Sequence, residues 1–214
     1  MSYNEFKLPK EAFVNKFIAK TKFYEKANLN AKLQKVFVDK IQKITWKYKL
    51  SESTIGIAKT EAVTEIQVFE IELKEQVIPK KVLNIIDKNI PYQILYCFVY
   101  MGNVAYGITL KENTSVDNYY FSEWNENITF DFTGIDLEKI YQKLVKAFIR
   151  HEVQNQKKFS DIIGLDKKVK LLETEISSLE GKVSKEKQFN RKVEINKNLL
   201  EKKAQLKEIL ESFK

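Results

Sequence analysis

The chain has 214 residues, 43% of them hydrophobic, and a formal net charge of +8. That length holds one sizeable core plus an appendage. A single cysteine excludes an intramolecular disulfide, no apolar run approaches the ~18 residues of a membrane span, and Met1-Ser-Tyr-Asn-Glu-Phe-Lys7 lacks a basic-then-apolar leader pattern, so a cytoplasmic protein without membrane association is expected.

The charge is lopsided. Residues 1–50 carry 12 Lys against 4 Asp or Glu, so the whole excess lies there and the remainder is balanced. Such asymmetry points to a polyanionic partner. The opposing reading is compositional: Arg150 and Arg191 are the only arginines, and a Lys-, Asn- and Ile-rich chain also arises from an A+T-rich genome.

Residues 1–28 interleave Lys with Phe6, Phe13, Phe17, Phe23 and Tyr24. Lysine meets phosphate while a ring stacks on a base, which suits single-stranded nucleic acid; rings packed onto a sheet with a solvated lysine flank are the alternative. Glu11 to Ala19 is a possible short helix after Pro9. Asn28-Leu29-Asn30 reads as a helix start with an Asn cap, and Leu33, Val36, Phe37, Val38, Ile41 and Ile44 form a helical stripe over 31–44. Lys32, Lys35, Lys40 and Lys43 lie mostly off it, giving a basic outer face. With Lys16, Lys20 and Lys22 they are the candidate phosphate contacts.

Ile44 to Leu50 alternates as a strand, residues 51–54 turn, and 54–58 reads as another short strand. The central block follows: strand 66–74, a helix opened by Pro79, an apolar strand over 92–100, the turn Met101-Gly102-Asn103, and strand 104–110. Residues 111–117 are a polar loop, 119–124 a strand, and 125–134 turn-like with Ile128 and Phe130 buried. Asp136 caps a helix with a buried stripe through Leu137, Ile140, Leu144, Val145, Phe148 and Ile149.

Past about Gln154 the character changes. Ile162, Leu165, Val169, Leu172, Ile176, Leu179 and Val183 form a heptad seam, which resumes after residues 184–191 as Ile195, Leu199, Leu206, Ile209 and Phe213, with Lys202 at an apolar site. An antiparallel helical hairpin is expected; one long helix paired with a second chain is the alternative. The fold class is thus α+β, with a mixed or mostly antiparallel sheet and flanking helices over 1–154, followed by a helical hairpin or coiled coil over 155–214.

Catalytic signatures are sparse. The six glycines are scattered, so no phosphate loop forms, and one His with one Cys cannot build a His/Cys zinc site. Cys97 lies in the most apolar strand and His151 closes a helix, a poor nucleophile–base pair. No cofactor is expected. One enzymatic alternative has physical content: a Mg²⁺-dependent nuclease built as helix, three strands, helix, strand, with Glu72-Leu73-Lys74 as the second half of its metal- and phosphate-handling signature. The first half is missing, because no Asp falls between Asp39 and Asp87, leaving Glu52, Glu61 or Glu65.

Several segments carry a family resemblance. They are 8–16 with Lys20-Thr-Lys-Phe-Tyr-Glu25, Ile44-Thr-Trp-Lys-Tyr-Lys-Leu50, 65–74, Val82-Leu-Asn-Ile-Ile-Asp-Lys-Asn-Ile-Pro91, and 185–196. In these the chain resembles a bacterial family described as domain of unknown function 4391. The resemblance implies a gene beside helicases and DNA methyltransferases, in islands that resemble restriction or phage-defence systems. It carries over no functional residues. The expected function is a non-catalytic accessory protein of such a system, binding nucleic acid, DNA above all, through phosphates without base specificity. The carboxy-terminal hairpin would dock a helicase, a methyltransferase or a second copy as a homodimer. A pure protein–protein adaptor is the second reading, and the divergent nuclease the third.

Overall fold

The computed structural model describes residues 6–111, 119–151 and 158–213. The chain divides into two compact units, Met1–Phe148 and Ile149–Lys214. The expected polar loop after Lys111 and the change near Gln154 fall outside the described residues.

The first unit is built on a six-stranded sheet in sequential order: β1 (Phe13–Phe17), β2 (Ile41–Leu50), β3 (Ile66–Leu73), β4 (Gln93–Tyr100), β5 (Asn103–Thr109) and β6 (Tyr119–Phe121). Only β3 and β4 run parallel; every other neighbouring pair is antiparallel. The parallel pair needs a crossover, which α4 (Lys80–Asn89) supplies after Pro79. The expected α+β class with a mixed, mostly antiparallel sheet is what the chain forms. β3 and β4 are buried along nearly their whole length, which accounts for their continuous apolar wording.

One face of the sheet holds the larger core. Phe69, Ile71 and Leu73 of β3 and Ile94, Tyr96 and Phe98 of β4 meet Phe23 of α1 (Thr21–Lys26), Phe37 of α2 (Ala31–Lys40) and Val82, Leu83 and Ile86 of α4. Alternation sends Tyr48 and Tyr106 to the other face, where the rings of Phe6 and Phe130 gather on them. Phe130 is half-buried, as is Ile128, rather than fully buried. Farther along, α5 (Leu137–Lys146) begins at its Asp136 cap, whose side chain accepts from Lys139 N at 2.7 Å, and its Tyr141 donates to the Thr109 carbonyl at 2.7 Å.

Three local readings are corrected. Residues 11–19 are not a helix: a single 3₁₀ turn (Lys10–Ala12) leads into β1, which pairs with β2 through Phe13–Tyr48, Lys16–Trp46 and Phe17–Thr45. The helix expected over 31–44 ends at Lys40, and Ile41 begins a strand. A bulge between Ile41 and Lys43 explains the misreading. In a regular strand Ile41 and Ile44 would point to opposite faces; the extra residue returns both to the same core, so their spacing of three imitates a helix. Residues 54–58 are not a strand either. Ser51 and Thr54 close a capping box on a one-turn α3 (Glu52–Ile55), Gly56 ends it at φ 68, and Ala58 makes only an isolated bridge to Asp136.

The second unit contains α6 (Phe159–Lys185) and α7 (Phe189–Phe213), packed as a hairpin. Lys202, the polar residue on the seam, pairs with Glu175 at 2.7 Å, and Lys203 with Glu180 at 2.7 Å. No helix among the described residues is long and apolar enough to cross a membrane.

Candidate nucleic-acid interface

The structure sorts the candidate lysines into three groups. The first is held internally. Lys40 pairs with Glu75 at 2.5 Å and Lys43 with Glu72 at 3.3 Å. Lys47 with Glu70 at 3.5 Å and Lys49 with Glu65 at 3.1 Å extend the same series across the β2–β3 pair. Lys20 turns inward, its Nζ donating to the Ile41 carbonyl, and burial followed by the nearby Lys74 lowers its pKa. Four of the twelve lysines in residues 1–50 are therefore matched by glutamates from farther along the chain.

The second group, Lys32 and Lys35, is exposed on α2 and has no ion pair among the described residues. The third borders a cleft of about 290 Å³ between β1, α1, β2, β3 and the turn that follows α4. Lys16 and Lys22 of the candidate set line it, and Lys26, absent from that set, joins them. The lining includes Phe17, Trp46, Phe69, Pro91 and Tyr92 and contains no Asp or Glu. Lys26 Nζ also donates to the Asn89 carbonyl at the end of α4, which offsets the negative end of that helix.

Local structure explains why these residues converge. Asn15 adopts φ 47 within the bulge between Phe13 and Lys16; beyond it Lys16 and Phe17 pair regularly with Trp46 and Thr45 on the edge strand, and both border the cleft. Phe23 faces the core instead, 4% exposed, whereas Phe17 is 59% exposed. The aromatic–basic run thus divides between core and surface residue by residue. Lys26 was legible in the sequence as part of that run; nothing there indicated that the Asn89–Tyr92 turn would close the site.

The nuclease arrangement does not assemble as assigned. Its second strand is α3, Glu72 is paired with Lys43, and of the three substitute acids Glu65 is paired with Lys49, Glu52 lies in the first turn of α3, and Glu61 is exposed. Lys74 is exposed at the end of β3. No group of three or more His, Cys, Asp or Glu side chains placed to hold a metal ion occurs among the described residues. Burial pushes the Cys97 thiol far up, with Glu70 adding to the effect, and His151 lies against Phe213 with ring centroids 5.5 Å apart.

A second polar cluster lies at the carboxy end of α4. Tyr119 donates to Asp87 Oδ2, and Lys111 Nζ sits 3.4 Å from Oδ1 while donating to the Asp87 and Ile90 carbonyls. Burial raises the Asp87 pKa against the opposing pull of Lys111 and Tyr119. The cluster fastens the end of the crossover helix to β6.

The family profile described as Domain of unknown function (DUF4391) matches residues 6–206. The chain belongs to this family. Its match spans the sheet, the cleft and most of the hairpin, so cleft and hairpin both lie within the family's common region. No curated protein and no solved structure matches the chain.

Proposed function

We propose that this family member is a non-catalytic accessory protein of a DNA modification or phage-defence system, cytoplasmic, that binds nucleic acid without base specificity. One observation carries the reading: Lys16, Lys22 and Lys26 share a cleft with no acidic lining residue, while much of the remaining amino-terminal charge is matched. Three ammonium groups beside a carboxylate-free surface attract phosphates and release their counterions. The genomic setting follows from the sequence resemblance. The interface is therefore narrower than the charge distribution indicated, with Lys16 and Lys22 at its centre and Lys32 and Lys35 available as flanking charge.

The test is oligonucleotide binding by fluorescence anisotropy across a salt series. Log affinity falls linearly with log salt, and the Lys16→Glu/Lys22→Glu variant both weakens binding and lowers the slope by about two. Affinity indifferent to salt, or unchanged in that variant, overturns the reading.

A protein–protein adaptor is the second reading. Leu171, Phe189, Val193 and Leu200 of the hairpin are exposed, and these side chains suit a helical partner. Purified helicase or methyltransferase from the same island, or a second copy of the chain, would then bind the full protein and lose binding on deletion of 155–214.

A further inference from the structure

We infer that the cleft takes an unpaired base of a single strand, so the nucleic acid bound is single-stranded rather than duplex. The inference rests on the phosphate-binding reading and deepens it. Phosphate contact alone calls for exposed lysines on a polar surface. This site instead surrounds its lysines with Phe17, Trp46 and Tyr92. Phe17 is 59% exposed on the edge strand β1, an apolar ring left in water beside Lys16. A ring so placed is a stacking surface, and stacking tolerates any base because every base has a π face.

Size and charge point the same way. About 290 Å³ sits just below the range of small-molecule pockets, roughly 300–1,000 Å³, which is room for a base and its sugar. A base held in a duplex remains stacked between its neighbours and must be unpaired to reach such a pocket. Lys16, Lys22 and Lys26 border the same space, so a strand crossing the cleft places its phosphates on the ammonium groups as one base turns inward. The absence of lining carboxylates keeps both steps free of repulsion.

The experiment compares four ligands of equal length on the full chain: oligothymidine, oligouridine, an abasic deoxyribose backbone, and a DNA duplex. Wild-type protein binds oligothymidine at least tenfold tighter than the abasic strand and the duplex; oligouridine, which adds a 2′-hydroxyl and lacks the C5 methyl, also binds at least tenfold tighter than the abasic strand, as stacking on any base requires. Phe17→Ala, at an exposed site, lowers oligothymidine affinity about fivefold or more and leaves the salt slope unchanged, while Phe17→Trp retains it. Equal binding of thymidine and abasic strands, or duplex binding as tight as oligothymidine, overturns the base pocket and leaves the phosphate reading standing. Binding of none of the four overturns both.

Discussion

Lys43 of β2 stands directly across from Glu72 of β3, with Nζ and Oε1 3.3 Å apart. The pair withdraws a lysine from the phosphate-binding set and a glutamate from the nuclease signature. Both side chains are more than a third exposed, so the pair contributes at most ~1 kcal/mol. Glu72→Ala accordingly changes stability in urea by less than ~1 kcal/mol. Supercoiled plasmid stays intact with Mg²⁺ and either protein. Nicking by the wild type that is abolished in Glu72→Ala would restore the hydrolytic reading.

Asp87 and Lys111 are a different kind of pair, with side chains 3% and 15% exposed. Removing either partner strands the other as an uncompensated charge, so Asp87→Asn or Lys111→Met each costs about 3 kcal/mol. The double variant loses less than the sum, and a double-mutant cycle in urea measures the difference. The pH dependence has a definite sign. Burial raises the Asp87 pKa, so the folded state holds the proton more tightly than the unfolded chain. That contribution is complete below the ordinary aspartate value and disappears as pH rises through the raised one. Stability therefore falls with rising pH across this window, less steeply in Asp87→Asn. Glu70, also raised by burial and then by Glu72, slopes the same way in both proteins.

Legibility in the sequence followed the number of alternatives each local pattern allowed. The Asn cap read in Asn28-Leu29-Asn30 is Asn30, and Asp136 caps as its position implied; they accept from Leu33 N at 3.0 Å and Lys139 N at 2.7 Å. Pro79 likewise opens the helix it implied, whereas the seam from Ile162 to Phe213 suited a hairpin or a coil with a second chain, and the two helices form the hairpin. Ile41 and Ile44 admitted two, because a bulged strand and a helix both bury residues three apart. The Lys–Glu pairs do have a sequence signature: Lys43, Lys47 and Lys49 of one strand face Glu72, Glu70 and Glu65 of the next and its approach, opposite charges running in reverse order as antiparallel pairing requires. The cleft was legible only as separate parts. Its closing turn, Asn89–Tyr92, comes from a segment more than sixty residues beyond Lys26, and no local pattern reports that contact.

Gly107 of β5 marks a close approach. A Cβ there would lie 2.8 Å from Phe121 Cδ1 and 3.0 Å from Phe98 Cε2. Phe98 is fully buried, so the Phe121 ring must give way. Gly107→Ala costs ~1–3 kcal/mol by thermal or urea unfolding. Combined with Phe121→Leu its effect is smaller than the two single losses added, because the obstructing ring is gone.

Lys202 is the only charged side chain among the apolar seam positions of α7, and Glu175 of α6 meets it at 2.7 Å. With Lys203–Glu180 the pair is one of two ion pairs among the described residues that cross from α7 to α6 in the register the hairpin adopts. Lys202→Glu sets two carboxylates together and lowers the melting temperature of the hairpin's transition. Glu175→Lys with Lys202→Glu reverses the pair and recovers most of the loss. Each side chain is about a third exposed, so the coupling energy read from a four-variant cycle is at most ~1 kcal/mol. Equivalent losses in the single and charge-swapped proteins would mean that α6 and α7 do not pair in this register.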